Sequence, residues 1–358
     1  MMEFIKGMDV SMLQELEEEG AQYYLNGEKL DLFDLFKKTG INTIRLRLWN
    51  YPYDEQGEPY GGGTNDLQTT INLAKRLTKS GLDFILDFHY SDFWADPKKQ
   101  VKPKAWMHLD QVGLQQAVYD YTREVLETLR QHGIKPMCVQ VGNEITNGFL
   151  WREGHIDNLE GMVALLQSGI KAVKDFNPAI KIMLHLDYGT DNTLYRDWFD
   201  KIEEYDLDFD FIGMSYYPYW NGSLEALKSN MEDISQRFNK EIIIAETAFG
   251  YTTDNLGCNG MIFNEALAST VPFEATKEGQ MHYLEALIQI IKGISHNRGI
   301  GFIYWEPSWL PIKNCAWAKP AGAAYANDKG ELGNSWANQA LFDEFGNANP
   351  CFEIFLKY

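Results

Sequence analysis

The amino-acid sequence predicts a closed (β/α)8 (TIM) barrel, and two observations support this prediction. Eight short runs of apolar or β-branched residues alternate with amphipathic helical segments along the 358 residues. That alternation is typical of a parallel sheet covered by helices. No linker rich in proline or serine interrupts it. We therefore expect one catalytic domain over residues 1–358, with an open doubly wound sheet as the alternative.

The predicted strands and helices follow one another in a regular order. The strand runs cover residues 4–10, 42–49, 82–90, 136–144, 181–187, 209–217, 241–248 and 299–306. Helices are expected between them, where apolar residues recur every three to four positions. These segments are residues 30–40, 66–81, 114–133, 159–176, 193–205, 223–238 and 278–295. Several of them end in glycine close to the next strand, as helix C-caps do.

Long loops are predicted after strands 2, 3, 7 and 8. They cover residues 50–66, 91–110, 249–277 and 307–337. In a (β/α)8 barrel the loops after the strands line the C-terminal face, where active sites lie. Loops of this length usually have a function. These four contain Trp94, Trp106, Trp309, Trp317 and Trp336.

The charge balance argues against two classes of partner. The sequence has 51 acidic and 32 basic residues and a net charge of −19. Nucleic acids and anionic membrane surfaces are bound through clustered lysine and arginine. No apolar stretch reaches the ~18 residues of a membrane span, and no basic leader begins the sequence. We expect a soluble monomer, either cytoplasmic or secreted with its leader removed.

Two predicted strands lead to a glutamate. The fourth passes through Gly142 to Asn143 and Glu144, and the seventh, "EIIIAET", reaches Glu246. A barrel would bring both glutamates to the same rim. Two carboxylates in one cleft can cleave a glycosidic bond, with one as acid and the other as nucleophile or base. For either glutamate alone, an ordinary surface position past a strand end is the alternative.

Polar or aromatic residues stand at most of the other strand ends as well. They are Arg45, Arg47, Asp87, His89, Tyr90, His185, Asp187, Tyr216, Tyr217, Trp305 and Glu306. One such residue alone would more often be packed in the core. The whole set is typical of a sugar cleft, in which aromatic faces stack on pyranose rings and polar groups bind hydroxyls.

The spacing of cysteine and histidine residues does not indicate a metal centre. Cys138, Cys258, Cys315 and Cys351 lie far apart, without a CxxC pair or a clustered histidine. We expect no metal and no required cofactor. A metal-dependent barrel enzyme is therefore disfavoured, as is a Schiff-base enzyme, because no strand-end lysine stands out.

Several motifs together resemble glycoside hydrolase family 53, the arabinogalactan endo-β-1,4-galactanases. They are "DFHYSDFWADP" with Gln100, Pro103 and Trp106 after it, "VGNEI..G.LW", "SYYPYW", "IIIAET" and "FIYWEPSW". The resemblance extends from "GMDVS" (7–11) to "NQALFDEFGN" (338–347). It implies a (β/α)8 barrel that hydrolyses β-1,4-galactan, a pectin side chain, with retention of anomeric configuration.

The resemblance also implies roles for individual residues. It assigns the acid/base role to Glu144 and the nucleophile to Glu246. The family's cleavage subsite matches Arg45, His89, Asn143, Tyr217 and Trp305. The positions at strand ends and in the loop after strand 3 add Asp87, Trp94, His185 and Asp187 as expected substrate-binding residues. We expect the pKa of Glu144 to be raised by repulsion from Glu246 and by partial desolvation.

Two family features are not matched clearly. Many bacterial members bind calcium in an Asp- and Asn-rich loop after the seventh strand. Here that loop, "TTDNLGCNGMIFN", has one acid, Asp254, whereas calcium takes several oxygen ligands. This argues against a calcium site built in that way. Fungal relatives have a disulfide where Cys258 and Cys315 fall, and both a bridge and two free thiols remain open here.

Two alternatives to a galactanase follow from the residues. A mannanase, glucanase or exo-galactosidase of the same clan would share the catalytic pair and differ in its loops. A non-catalytic carbohydrate-binding barrel would lack one of the two carboxylates, and this sequence has both.

Overall fold

A computed structural model describes residues 3–358, and its centre is a closed barrel of eight parallel strands. The strands are β1 (Ile5–Asp9), β2 (Thr43–Leu48), β3 (Asp83–Phe88), β4 (Cys138–Val141), β5 (Lys181–Leu186), β6 (Phe211–Ser215), β7 (Glu241–Thr247) and β8 (Gly299–Trp305). Each pairs with the next, and β8 pairs with β1 to close the barrel. The predicted fold class is confirmed, and every strand lies within its predicted run.

Seven long helices surround the barrel. They are α1 (Leu32–Lys38), α2 (Leu67–Lys79), α3 (Gln111–Gln131), α4 (Leu159–Phe176), α5 (Asn192–Glu203), α6 (Leu224–Arg237) and α7 (Lys277–Lys292). All seven were predicted. α3 begins earlier than expected because the Asp110 side chain caps it, accepting a hydrogen bond from the Gly113 amide at 2.8 Å.

Several short elements were not predicted, because each is too short to show a period in the sequence. They are the helices Leu13–Glu18, Pro218–Asn221, Glu265–Ala268 and Pro320–Tyr325, and a hairpin of Tyr23–Leu25 with Glu28–Leu30. In the described residues, a long loop follows β8 in place of an eighth long helix. The chain then returns to the barrel wall, where the Lys6 ammonium donates to the Phe355 carbonyl at 2.8 Å.

The barrel interior changes from apolar to charged along the strands. Its lower layer contains Ile5, Ile85, Cys138, Met183, Phe211 and Ile243. Successive inward-facing residues are two positions apart in a strand. Asp87, Gln140 and His185 therefore follow Ile85, Cys138 and Met183 toward the C-terminal face, and all three are buried. The charged layer lies directly below the long loops, where a barrel active site is expected.

Two further expectations can be compared with the described residues. All four cysteines are free, and Cys258 and Cys315 line one cavity between the loops after β7 and β8. Across residues 3–358, none of the helices combines the length and the apolar character of a membrane span.

Candidate active site

Backbone strain is concentrated at the C-terminal ends of the strands. Tyr90, Glu144, Tyr188 and Glu306 follow β3, β4, β5 and β8, and their φ angles are 49°, 47°, 51° and 50°. Side chains other than glycine rarely adopt this left-handed conformation, which costs about 1–3 kcal/mol at each position. Strain of this kind often accompanies a functional site. Here it turns the chain sharply at four points around the barrel mouth.

Gly142 makes the sharp turn after β4 possible. Its φ is +84°, and a β-carbon at this position would lie 2.6 Å from Cγ2 of Ile145. Any other residue would therefore be strained and would collide with the turn that follows. The turn directs Asn143 and Glu144 to the barrel mouth, where both line the central cavity.

A bulge in β7 brings Glu246 to the same cavity. The pairing of β6 with β7 shifts register between Met214, opposite Ile244, and Ser215, opposite Glu246. The extra residue, Ala245, packs in the barrel interior. Because a bulge interrupts strict alternation, Ala245 and Glu246 can both face inward.

The Glu246 carboxylate is held by hydrogen bonds at both oxygens. Nη2 of Arg45 donates to Oε1 at 2.6 Å, and the Tyr217 hydroxyl donates to Oε2 at 2.9 Å. The same guanidinium donates from Nε to Asp9 at 2.8 Å and from Nη1 to Gln140 at 3.1 Å. Arg45 is fully buried. The ionised form of Glu246 thus has a fixed cation beside it.

Arg47 lies beside Arg45 and extends the buried charge network. Its Nη1 is 3.1 Å from Asp9 and 2.7 Å from Glu306. Burial opposes ionisation of Asp9, but Arg47 and Arg45 together outweigh it and hold the pKa of that carboxyl below its usual value. Burial raises the pKa of Glu306 against the opposing effect of Arg47.

Glu144 has different surroundings. Its Oε1 accepts a hydrogen bond from the Ser215 hydroxyl at 2.6 Å, and none of the lysine or arginine side chains in residues 3–358 forms an ion pair with it. Burial, followed by the charges of Glu246 and Asp187, raises the pKa of Glu144 well above 4.5. The expected direction is confirmed, although burial is a larger cause than repulsion.

A line of hydrogen bonds supports Ser215 from below. His185 Nε2 lies 2.9 Å from the Ser215 hydroxyl, and Nδ1 lies 3.1 Å from the Gln140 amide nitrogen. Burial and the charge of Arg45 hold the pKa of His185 well below 6.5, so the ring is neutral. Nδ1 also lies 3.0 Å from the Asn143 amide oxygen, and the tautomer of the ring decides the direction of each of these bonds.

Asn143 is fixed from two sides. Its amide nitrogen donates to the Ala95 carbonyl at 2.9 Å, and its amide oxygen accepts from Gln140 at 3.0 Å. The Gln100 side chain donates to the Asn143 carbonyl at 2.8 Å. These contacts hold the Asn143 amide at the edge of the cavity, next to Glu144.

The protonation of His89 is determined by its neighbours. Nδ1 accepts hydrogen bonds from the Trp49 indole at 3.2 Å and from the Ala95 amide at 3.1 Å. The ring proton of neutral His89 must therefore be on Nε2, which faces an Asp87 oxygen at 3.3 Å. His89 lines the cavity, whereas Asp87 lies below it and is fully buried.

The site is a groove that continues on both sides of Glu144. On one side, a cavity of about 420 Å³ is lined by five tryptophans and by Glu144 and Glu246, among other residues. On the other side, a cavity of about 520 Å³ is lined by Asp187, Tyr188, Tyr217 and Trp220. Glu144 and Asp96 line both cavities, whereas Glu246 lines only the first of them.

The tryptophans of the first cavity pack against one another and against Arg47. The rings of Trp305 and Trp336 are 4.6 Å apart and nearly perpendicular. The Arg47 guanidinium lies 4.6 Å from the ring centre of Trp94 and 5.3 Å from that of Trp305. The Trp94 indole donates to the Trp317 carbonyl at 2.9 Å. Aromatic faces are thereby fixed around a space that can hold sugar rings.

The structure separates the predicted site residues into two groups. Eight of them line the groove: Trp94, His89, Asn143, Glu144, Asp187, Tyr217, Glu246 and Trp305. Three others are fully buried below it and reach it through neighbouring side chains: Arg45, Asp87 and His185. Of the loop tryptophans, Trp106 packs on Tyr121 and lines neither cavity of the groove.

Four residues that sequence reasoning missed also belong to the site. Asp9, Gln140 and Ser215 are buried polar residues in predicted strands, and Asp96 lies in the loop after β3. A polar residue in an otherwise apolar strand was the available signal. For metals, residues 3–358 contain no group of three or more His, Cys, Asp or Glu side chains arranged to hold an ion.

Comparison with known proteins places the chain among glycoside hydrolases. The sequence profile described as glycosyl hydrolase family 53 matches residues 5–355. The endo-β-1,4-galactanase of Bacillus subtilis (strain 168) is 35% identical over 372 residues, covering 99% of this chain and 85% of the relative. The arabinogalactan endo-β-1,4-galactanase of Cellvibrio japonicus (strain Ueda107) is 36% identical over 366 residues, covering 98% and 90%.

A solved structure agrees with these sequence comparisons. The GH53 catalytic domain of Ignisphaera aggregans superposes with a TM-score of 0.92 and is 39% identical in sequence. The match covers 99% of this chain and 95% of that domain. The likeness therefore includes the long loops around the groove as well as the barrel.

Proposed function

The chain belongs to glycosyl hydrolase family 53, and from this premise we propose that it is a retaining endo-β-1,4-galactanase. Two of its relatives are named for this activity. The observation that supports the chemistry best is the contrast between two carboxyl groups at one groove. Glu246 has a guanidinium at 2.6 Å, whereas burial and nearby negative charges favour the protonated form of Glu144.

In the first step, Glu246 acts as nucleophile. One of its oxygens attacks the anomeric carbon as the bond to the glycosidic oxygen breaks, and Glu144 gives its proton to that departing oxygen. Arg45 and Tyr217 orient the Glu246 carboxylate. The Asn143 amide stands beside the reacting sugar, in position to bind its 2-hydroxyl.

In the second step, Glu144 acts as base. It takes a proton from water, whose oxygen attacks the anomeric carbon as the bond to Glu246 breaks. The released sugar has the original β configuration, and Glu144 is protonated again. The cycle uses two carboxyl groups and one water, so we propose that no cofactor takes part. We also propose that residues 1–358 act as one catalytic domain in a monomer.

The shape of the groove supports internal cleavage of a polysaccharide. Cavities lie on both sides of Glu144, so sugars can occupy positions before and after the bond that is cut. The aromatic lining suits a neutral sugar chain. The relatives' names favour β-1,4-galactan over other β-linked polymers.

The test combines specificity with stereochemistry. The wild-type protein is incubated with β-1,4-galactan, β-1,4-mannan and β-1,4-glucan, and the first anomer released is followed by NMR. We expect galacto-oligosaccharides from galactan alone, with the β anomer appearing before mutarotation. An initial α anomer would refute the two-step mechanism, and release of galactose from chain ends only would refute the endo assignment.

A further inference from the structure

The second cavity contains a carboxylate with one free oxygen. Asp187 follows β5, and 7% of its surface is exposed. Its Oδ1 accepts a hydrogen bond from the Thr146 hydroxyl, and its own amide donates to that hydroxyl at 3.2 Å. Among residues 3–358 no group donates to Oδ2. Asp187 is thus held rigidly and lines the cavity with an acceptor still unused.

The chemistry of the groove identifies what occupies this cavity, and this step rests on the proposed function. Glu246 lines the first cavity only, so the sugar that it attacks lies there. Glu144 lines both cavities and protonates the departing oxygen between them. The second cavity therefore receives the part of the chain that leaves.

Two exposed aromatic side chains frame the same cavity. Tyr188 and Trp220 line it, and each is 49% exposed. The Trp220 ring is also 5.3 Å from that of Tyr217. Large apolar faces exposed at the edge of a polar cavity are typical of sites where a sugar ring stacks.

We propose that Asp187 binds the leaving saccharide, its free Oδ2 accepting a hydrogen bond from a hydroxyl of the departing sugar while Tyr188 and Trp220 pack on the ring. Of the charged side chains that line this cavity, Asp96, Glu144 and Asp187 are carboxyl groups and Lys98 is the cation. The site therefore accepts a neutral sugar with free hydroxyls and disfavours a uronate, whose carboxylate would face the carboxylates of Asp187 and Asp96.

Asp187 also affects the proton of Glu144. Burial raises the pKa of Asp187 to about 6, so it is charged above that pH. Its charge then helps to raise the pKa of Glu144, after burial and Glu246. The other titratable groups that face this region are Asp96, Lys98, Tyr188 and Tyr217. Leaving-sugar binding and proton donation are thus linked through one carboxylate.

The test compares two leaving groups in the same variant. Asp187→Asn and Asp187→Ala are assayed on β-1,4-galactan and on a nitrophenyl β-galactobioside, whose leaving group has no sugar hydroxyl. We expect kcat/KM on galactan to fall about 10- to 100-fold, the usual range for a hydrogen bond to a charged acceptor. Activity on the aryl substrate should change by less than about threefold. The basic limb of the galactan pH profile should move to lower pH in Asp187→Asn.

Asp208→Asn is the matched control, because this side chain is 74% exposed and precedes β6 at the opposite end of the barrel. It should change neither substrate's kinetics. Equal losses on both substrates in the Asp187 variants would overturn the proposal, as would unchanged kcat/KM on galactan. A wild-type protein inactive on both substrates would instead refute the proposed function on which the proposal rests.

Discussion

Two strand ends in the same groove hold a carboxyl group in opposite ways. At the end of β7, Glu246 accepts hydrogen bonds from Arg45 and Tyr217, and its cation is in turn bound by Asp9. After β4, Glu144 accepts a bond from the neutral hydroxyl of Ser215 and has three other carboxyl groups nearby, those of Glu246, Asp187 and Asp96. The surroundings of Glu246 stabilise a negative charge, whereas those of Glu144 destabilise it.

This difference shows how one barrel can supply an acid and a nucleophile from the same residue type. Glycosidic cleavage needs one carboxyl group charged and the other protonated at the same pH. The residue type cannot produce that difference, because both groups are glutamates. The neighbours do so, through a buried guanidinium on one side and desolvation with like charge on the other.

Removal of the Glu246 carboxylate, whose charge is balanced by Arg45, should have the largest effect. Glu246→Ala deletes the nucleophile, and no other group can form the covalent intermediate, so galactan hydrolysis should fall on the order of 10⁴-fold or more. Added azide should restore turnover of a nitrophenyl galactobioside and release an α-galactosyl azide, because azide attacks from the face that Glu246 vacates. Kinetics and NMR measure both effects.

Glu241→Gln provides the control for this variant. Glu241 begins the same strand and is exposed at the other end of the barrel, so its loss should leave activity unchanged. If Glu246→Ala retained near-wild-type activity, Glu246 could not be the nucleophile.

Removal of the Glu144 carboxyl group should have a smaller effect that depends on the substrate. Glu144→Gln loses the proton donor, which is worth about 10²–10⁴-fold on galactan. A nitrophenyl leaving group needs little protonation, so the first step on the aryl galactobioside should be nearly normal, as measured by the burst of nitrophenol. The basic limb of the pH profile on galactan should disappear, because in the wild-type protein activity falls with rising pH as Glu144 loses its proton. A surviving basic limb would assign the acid role to another group.

The stability of the two regions should also differ. Arg45→Met leaves Glu246 without a cation and Asp9 with Arg47 alone, and loss of one partner of a buried ion pair costs about 3–5 kcal/mol. Urea unfolding measures this change. The control, Arg237→Met, removes an exposed arginine paired with Asp200 at 2.8 Å, where about 0–1 kcal/mol is expected. Similar losses in both variants would show that the buried network has no special role in stability.

The strands and the positions of the two glutamates could be predicted from the sequence because they depend on local patterns. Alternating apolar runs locate a strand, and Glu144 and Glu246 each follow such a run. The difference between the two glutamates could not be predicted in this way. It depends on Asp187 and Asp9, which reach the site from other strands, and on a bulge at Ala245 that no local signal marks.

How deeply the predicted site residues are buried could not be predicted from the sequence either. Asp87 and His89 are two positions apart in one motif, yet His89 lines the cavity and Asp87 lies below it. Their depth depends on where the strand ends relative to the loops above it. A sequence pattern indicates which residues face the barrel axis but leaves their height along that axis undetermined.

The smallest expected effect concerns the single hydrogen bond that Glu144 accepts. The Ser215 hydroxyl lowers the pKa of Glu144, against burial and the charges of Glu246 and Asp187 that raise it. Ser215→Ala removes this donor, so Glu144 stays protonated to higher pH and the basic limb on galactan should move upward. Activity at the optimum should change little, because the donor proton is still present. In the double variant Ser215→Ala/Glu144→Gln no limb should remain to move. A downward shift in Ser215→Ala would mean that the serine stabilises the protonated acid, and the contrast between the two carboxyl groups would then depend on Ser215 as well as on burial and repulsion.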